Sequence, residues 1–232
     1  MSGVTLSIIV PVLNEVARIE ATLRLLSPLR NRGVEVIVVD GESNDGTRDI
    51  ARTLADHVVT GPRGRATQMN TGAAVARGRI LLFLHADTRL PDRADAFIRD
   101  GLARTGRAWG RFDVRFNAGP FLGLIALMMN LRSRITGIAT GDQAIFVSRA
   151  AFDAAGGFPP IALMEDIALS TRLKRISHPL CLRPHATTSP SRWKENGTLR
   201  TVFLMWRLRL AYFLGADPRQ LAQRYGYVPA EQ

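Results

Sequence analysis

Two adjacent carboxylates, Glu165 and Asp166, are the side chains of this sequence best placed to do chemistry. They follow a Gly-Gly-Phe-Pro-Pro turn and precede an amphipathic basic stretch. A carboxylate beside a reaction centre can remove the proton of a hydroxyl group. The alternative is structural, because acidic residues in the first turn of a helix are favoured by the helix dipole. The segment alone gives the two interpretations about equal weight.

Polar side chains also follow the apolar runs of the first half of the chain. The runs 6–12, 34–39 and 80–84 are short and rich in β-branched residues, as buried strands are. Directly after them come Asn14 and Glu15, Asp40, and His85 with Asp87. Helical patterns separate the runs, which is typical of an α/β protein with a largely parallel sheet. Ligands bind at the carboxyl ends of such strands, so we predict a ligand site there.

The pair His85 and Asp87 could hold a divalent cation. Mg²⁺ or Mn²⁺ bound to a diphosphate usually takes only one or two protein carboxylates. Asp87 could instead cap the following helix or turn. Asp40 could accept a hydrogen bond from a nucleobase or a ribose hydroxyl, or form a turn with Gly41.

A basic glycine loop runs from 61 to 65 and offers backbone amides, Arg63 and Arg65 to a phosphate group. It is not a Walker loop, and no Gly-x-Gly-x-x-Gly follows the first predicted strand. Hydrolysis of purine triphosphates and dinucleotide binding are therefore disfavoured. The four histidines and the single cysteine, Cys181, lack the spacing of zinc ligands.

The totals fit one globular domain that prefers anionic partners. The chain has 232 residues, of which 46% are hydrophobic, and a net charge of +11. That charge favours nucleic acid, a phosphorylated small molecule or an anionic membrane surface. A single cysteine fits the reducing cytoplasm, and the first residues lack the pattern of a signal peptide.

Several segments of the second half have more than one interpretation. The apolar stretches 119–131 and 199–214 are shorter than the ~20 residues of a spanning helix, and core packing is preferred for both over contact with a membrane interface. The stretch 172–209 carries nine Lys and Arg against one acid, which indicates a solvated face or a surface for phosphate or anionic lipid. Alternation over 109–116 predicts a strand with one apolar face, and the polar tail after 217 is expected to be loosely held.

Six short motifs in order resemble the family 2 glycosyltransferases of GT-A fold, over residues 5 to about 195. They are Ile-Val-Pro-Val-Leu-Asn-Glu, Val-Val-Asp-Gly-Glu-Ser-Asn-Asp-Gly-Thr, Phe-Leu-His-Ala-Asp-Thr, Gly-Asp-Gln-Ala-Ile-Phe, Glu-Asp and Ser-Arg-Trp. The resemblance is strongest to small bacterial members with a His-Ala-Asp variant of the Asp-x-Asp motif. It implies a Rossmann-like sandwich with a mostly parallel central sheet flanked by helices. One domain, 1–232, would comprise a nucleotide-sugar half (1–105), an acceptor half (106–195) and a helical tail (196–232).

The resemblance also implies roles for individual residues. The nucleotide sugar would be bound by Pro11, Leu13, Glu15 and Asp40, joined by Arg63 and Arg65 of the basic loop. Asp87, with His85, would hold a divalent metal, Mn²⁺ or Mg²⁺. Asp166 would be the general base, supported by Glu165. Contacts to the acceptor or the diphosphate would come from Asp142, Arg192 and Trp193.

Departures from the family pattern refine these expectations. His85 stands where the first aspartate of the metal motif is usual, which makes metal dependence a point for experiment. The Gln of the processive Gln-x-x-Arg-Trp motif is missing, so polymer synthesis is not expected.

The predicted activity is inverting transfer of a sugar from a nucleoside diphosphate to a lipid or other small acceptor. The expected location is cytoplasmic, with possible peripheral contact at an anionic membrane face, and no nucleic acid partner is expected. Two alternatives stay open: a nucleotidyltransferase, and a non-catalytic protein that binds nucleotides or nucleic acid.

Overall fold

A central sheet of eight strands organises the protein. The computed structural model describes residues 4–189 and 197–226, without the side chains of 198 and 199. The strands are β1 Leu6–Val12, β2 Glu35–Asp40, β3 His57–Thr60, β4 Ile80–Phe83, β5 Thr88–Arg89, β6 Trp109–Phe116, β7 Phe146–Ser148 and β8 Leu180–Thr188. Their order in the sheet is β3-β2-β1-β4-β7-β6-β8-β5.

Helices cover both faces of this sheet. They are α1 Val16–Arg30, α2 Thr47–Leu54, α3 Arg65–Val75, α4 Ala94–Thr105, α5 Pro120–Thr136, α6 Arg149–Ala154, α7 Glu165–Leu173, α8 Thr198–Phe213 and α9 Pro218–Arg224. Side chains alternate along a strand, so Ile8 packs with α1, α2 and α4, whereas Ile9 packs with α3, α6 and α7. The result is the predicted α/β sandwich of three layers.

The predicted parallel arrangement is confirmed for the first four strands. β1 pairs in parallel with β2 and β4, and β2 pairs in parallel with β3. β7 runs antiparallel to β4 and β6, and β8 runs parallel to β6. The carboxyl ends of β1, β2 and β4 therefore meet at one edge, where the sequence places its polar residues.

The predicted strand over 109–116 is confirmed as β6, with Phe112, Val114 and Phe116 on its buried apolar face. Polar side chains of its other face are buried as well. Arg111 is fully buried and pairs with Asp113. Its guanidinium also donates to Ser133 Oγ at 3.1 Å and to the carbonyl of Asn130 at 3.0 Å, both on α5. Arg111 and Asp113 thus anchor α5 to the sheet, whereas Arg115 of the same face is exposed.

The apolar stretch 119–131 lies on a helix, α5, but the preference for core packing over its whole surface is wrong. α5 buries one side, but its other side is exposed and apolar; we call this side the α5 apolar face, which consists of Phe121, Leu124, Leu127, Met128, Leu131 and Ile135. No helix within 4–189 or 197–226 is long and apolar enough to cross a membrane.

The end of the chain is better packed than its composition suggests. Leu221 and Ala222 of α9 are fully buried and pack with Leu208 of α8 and Ile167 of α7. The expectation of a loosely held tail is therefore wrong for the described part of that tail. The basic stretch likewise contains β8, a nine-residue strand that the sequence did not reveal.

Candidate active site

Asp40 is the last residue of β2, and only one of its two carboxylate oxygens has a hydrogen-bond partner in the described structure. The residue is 1% exposed, and its Oδ2 accepts a hydrogen bond from the Ser43 amide at 3.1 Å. Its Oδ1 is buried and has no hydrogen-bond partner in the described ranges. Buried polar atoms rarely stay without partners, so this oxygen indicates a position for a ligand donor.

Gln68, which the sequence analysis did not single out, joins the ends of two strands. Its Nε2 donates to the carbonyls of Val12 and Val39, both at 2.8 Å. A Cβ on Gly41 would lie 3.0 Å from the same nitrogen, so the backbone after Asp40 packs against the amide. A glutamine in a helix has the sequence signature of a surface residue, and no local pattern marks it.

The loops after β1 and β2 hold each other in place. Asn14 adopts a left-handed conformation (φ 52°), and its Oδ1 accepts from the Asn44 amide at 3.0 Å. Asp45 accepts from the Val16 amide at 3.0 Å, which satisfies a free donor at the start of α1. The predicted nucleotide-sugar residues Pro11, Leu13 and Glu15 are half-buried along this segment.

A 3-10 turn at Gly141–Gln143 brings an acid to His85. Nδ1 of His85 lies 3.5 Å from Oδ1 of Asp142. A Cβ added to Gly141 would lie 2.3 Å from the His85 ring. Only glycine at position 141 leaves room for the His85 ring, so the turn and the histidine pack directly against each other.

Asp166 is fixed by the same turn. Its Oδ2 accepts a hydrogen bond from the Gly141 amide at 2.9 Å, and its Oδ1 accepts from the Ile167 amide at 2.7 Å. The residue lies in the first turn of α7, after Met164 in a left-handed conformation (φ 71°). Glu165 and Asp166 therefore do lie at the start of a helix, as the structural interpretation predicted. This position is compatible with a chemical role for Asp166.

Glu165 points into the protein and faces Arg65. It is 4% exposed, and its Oε1 lies 3.5 Å from Nη1 of Arg65. Burial is the main cause that raises the pKa of Glu165; Arg65 acts against this shift and the charge of Asp166 adds to it. Burial also disfavours the charge of Arg65, but Glu165 and Asp166 outweigh it and raise the pKa of the guanidinium.

A cavity of about 10 Å³, room for roughly one water molecule, joins these groups. Its wall includes His85, Gly141, Glu165 and Asp166, together with Met69, Phe83, Ile145 and Phe158. Residues from four separate segments of the chain, including the predicted base and a predicted metal ligand, thus meet at one point.

Asp87 fits a cation that a diphosphate helps to bind. Its Oδ1 accepts from the Thr88 hydroxyl at 3.2 Å, and the residue is half-buried. Within the described residues no three His, Cys, Asp or Glu side chains are grouped as metal ligands. A site with one carboxylate, completed by phosphate oxygens, needs no such group. The ring of His85, by contrast, faces Asp142.

The two arginines of the basic loop have different surroundings. Arg63 is about half exposed and lies 3.8 Å from Glu42, whereas Arg65 reaches into the site towards Glu165. Arg192 and Trp193 lie outside the described residues.

The sequence profile of glycosyl transferase family 2 matches residues 7–145, which is more than half of the chain. The chain belongs to glycosyl transferase family 2. The resemblance inferred from the six motifs is confirmed, and with it the enzyme class, a nucleotide-sugar-dependent glycosyltransferase.

Sequence relatives in the family include mycobacterial proteins. An uncharacterised protein of Mycobacterium tuberculosis is 29% identical over 250 residues, covering 92% of this chain and 76% of that protein. A PGL/p-HBAD biosynthesis glycosyltransferase of Mycobacterium bovis is 36% identical over 108 residues, covering 43% of this chain and 41% of that protein. The chain thus spans less than half of the relative whose name gives an activity.

Solved glycosyltransferase and synthase structures share the fold at low identity. Staphylococcus aureus TarS matches with a TM-score of 0.67 and 20% identity, covering 87% of this chain and 65% of that one. A mannosyltransferase of Pyrobaculum calidifontis, solved with GDP-Man and Mn²⁺, matches with a TM-score of 0.64 and 22% identity. The match covers 99% of this chain and 66% of the mannosyltransferase. Glucosyl-3-phosphoglycerate synthase of Mycobacterium tuberculosis, solved with Mn²⁺, UDP and glucosyl-3-phosphoglycerate, matches with a TM-score of 0.61 and 22% identity. The match covers 98% of this chain and 81% of the synthase. The shared architecture is the predicted GT-A fold.

Proposed function

We propose that this family 2 enzyme transfers a sugar from a nucleoside diphosphate to an acceptor hydroxyl, with inversion at the anomeric carbon. The observation that carries the proposal is the buried Oδ1 of Asp40, which has no donor in the described structure and lies at the ligand-binding edge of the sheet. A nucleobase N–H or a ribose hydroxyl is the donor it lacks.

The donor would lie across the ends of β1, β2 and β4. Pro11, Leu13 and Glu15 would line the base and ribose pocket, with Arg63 beside the phosphates. Asp87 would hold a divalent cation together with the diphosphate, as the Mn²⁺ in the mannosyltransferase and synthase structures suggests. When bound, such a cation supplies positive charge to the leaving diphosphate.

Asp166 would take the proton of the acceptor hydroxyl. Each of its oxygens accepts one backbone N–H, and an ionised carboxylate has about four acceptor sites, so both oxygens keep capacity. The hydroxyl oxygen would attack the anomeric carbon on the side opposite the leaving diphosphate, which inverts that centre. Glu165 would act through Arg65, by holding the guanidinium beside Asp166.

The acceptor side would face a membrane. The α5 apolar face has its counterpart on α8, where exposed apolar side chains lie among arginines; they are Phe203, Trp206, Leu210 and Phe213. Aromatic and arginine side chains on such a helix suit the headgroup region of an anionic bilayer. We therefore propose a lipid or other small acceptor at the cytoplasmic face, with Asp142, Arg192 and Trp193 near the acceptor or the diphosphate.

The test is thermal stability with UDP-, GDP-, dTDP- and CDP-sugars, each with Mn²⁺, Mg²⁺ or EDTA, on wild type and Asp87→Ala. A ligand that binds the folded state alone raises the melting temperature. We expect a metal-dependent rise with one nucleotide, lost in Asp87→Ala. No rise with any donor would overturn the proposal.

A further inference from the structure

Two arginines near Asp166 have buried guanidinium nitrogens without an acceptor. They are Arg132 on α5 and Arg209 on α8. Nε and Nη2 of Arg132 and Nε of Arg209 are closed to solvent and find no hydrogen-bond partner among the described residues. A buried N–H donor of a charged group destabilises the fold when it has no acceptor. Three such nitrogens on two arginines therefore need an explanation.

Three other arginines of this region have partners. Arg111 and Arg134 both bind the carboxylate of Asp113, which lies on β6. Arg172 of α7 donates to the carbonyl of Ala155 at 3.2 Å. Arg132 and Arg209 differ from these arginines, because buried nitrogens of both have no acceptor among the described residues.

Arg132 lies within electrostatic range of both Arg209 and Asp166. After burial, the charge of Arg209 is the main influence that lowers the pKa of Arg132, to about 10; Arg111 adds to it and Asp166 opposes it. The guanidinium of Arg132 stays charged at neutral pH. Two cations beside one carboxylate leave an excess of positive charge next to the proposed base.

We propose that Arg132 and Arg209 form a subsite for a phosphate group of the acceptor, an inference that rests on the assignment of Asp166 to the acceptor side. Guanidinium groups bind phosphate oxygens through paired N–H donors, so one phosphate supplies acceptors for both side chains. The bound anion also removes their mutual repulsion. It would fix the acceptor at one end while its hydroxyl lies at Asp166.

We propose Asp87, which follows β4, for the donor diphosphate, and Arg132 and Arg209 for a second phosphate, that of the acceptor. These two assignments make the proposal testable apart from the donor site. A phosphate on a small acceptor and a phosphate on a lipid share the same chemistry, and the experiment must distinguish them.

The first arm measures the melting temperature against inorganic phosphate at constant ionic strength, for wild type, Arg132→Gln, Arg209→Gln and the control Arg104→Gln, an exposed arginine of α4. We expect phosphate to stabilise wild type and the control, and its apparent affinity to fall by at least about tenfold in the other two variants. Without phosphate, Arg132→Gln and Arg209→Gln should melt at or above the wild-type temperature, because each removes an unpaired cation. An equal phosphate response in all four proteins would overturn the proposal.

The second arm identifies the source of the phosphate. Phosphatidylcholine vesicles with and without phosphatidic acid are sedimented with each protein, with glycerol phosphate as competitor. Binding to phosphatidic acid that depends on both arginines and resists the competitor supports a lipid acceptor. Stabilisation and competition by glycerol phosphate support a soluble one.

The donor arm separates this proposal from the proposed function. Nucleotide-sugar binding should be unchanged in Arg132→Gln and Arg209→Gln. If these variants lose donor affinity together with phosphate affinity, the arginines bind the donor diphosphate and the acceptor subsite is refuted. If no nucleotide sugar binds any protein while phosphate behaves as expected, the proposed function fails and the anion subsite stands.

Discussion

The carboxylate of Asp166 accepts the backbone N–H of Gly141 at 2.9 Å, across 25 residues of sequence. The same glycine packs against the ring of His85, and its neighbour Asp142 lies 3.5 Å from that ring. The proposed base is therefore oriented by a turn that also carries the groups facing it. Both the position of Asp166 and the shape of the site depend on this one turn.

Asp166→Asn should retain donor binding and lose turnover. The amide oxygen can still accept the Gly141 N–H, which keeps the contact between the turn and α7. The bond from the Ile167 N–H is lost, and the side chain cannot take a proton. We expect kcat to fall by about 10²–10⁴, the usual contribution of a general base. Nucleotide release at saturating donor measures it. Asp153→Asn on the exposed side of α6 is the control, and near-normal turnover in Asp166→Asn would show that another group takes the proton.

Asp40→Asn should weaken nucleotide binding without loss of stability. The substitution removes a charge from a buried site whose Oδ1 has no donor in the described structure. A hydrogen bond to a charged group contributes about 1.5–3 kcal/mol, so the dissociation constant of the donor should rise by roughly tenfold to a hundredfold. Calorimetric titration measures it, with urea unfolding as the measure of stability. An unchanged dissociation constant would remove Asp40 from the donor site.

Glu35 should make stability depend on pH. Its buried carboxylate accepts from the Arg77 amide at 2.8 Å and from Nε of the same arginine at 2.7 Å, and it binds the Ser7 hydroxyl. Burial alone would raise the pKa of Glu35, but these bonds and the charge of Arg77 lower it below the ordinary 4.5. A lowered carboxyl pKa stabilises the fold above the unfolded-state pKa, and the stabilisation is lost as the pH falls through the folded-state value.

Glu35→Gln should therefore lower the free energy of unfolding at pH 7 by about 1–3 kcal/mol. The difference from wild type should shrink as the pH falls below 4.5, where the wild-type carboxyl begins to lose its advantage. Urea unfolding across this range measures both. Glu20→Gln, an exposed partner of Arg24 on α1, should change stability by less than about 1 kcal/mol. A difference that stays constant with pH would contradict the assigned charge.

The α5 apolar face should govern membrane binding. Replacing Leu124, Leu127 and Leu131 with Gln removes apolar area that is already exposed, so folding should be preserved. Burial of each leucine in lipid is worth up to about 1.5–3 kcal/mol, so vesicle binding should fall at least tenfold. Sedimentation with anionic vesicles measures it, and Leu25→Gln on exposed α1 is the control. Equal vesicle binding by both variants would place the membrane contact elsewhere.

Sequence patterns predict the first half of the fold, where the hydrophobic pattern of each segment agrees with its burial in the folded protein. The β-branched runs become β1, β2 and β4, and the polar residues after them lie at one edge because parallel strands share their direction. Gln68 escaped notice because its role depends on two carbonyls that are distant in sequence.

The second half was harder because the same patterns fit two environments. The 3.6-residue apolar period of α5 is the same whether the face meets a core or solvent, and only the neighbouring elements decide. The alternation of β6 predicted one apolar face but gave no sign that Arg111 on the other face is fully buried against α5. For Arg132 and Arg209, no local pattern shows that acceptors are missing.

The bonds from buried Arg111 to α5 have one more consequence. Hydrogen bonds are directional, so they set the rotation of that helix about its axis as well as its distance from the sheet. A helix held by apolar contacts alone can rotate about its axis and bury its exposed apolar residues. The hydrogen bonds from Arg111 prevent this rotation of α5, so its apolar face stays exposed. Purified protein should therefore self-associate in plain buffer as its concentration rises, and it should become monodisperse when a mild detergent covers this exposed side.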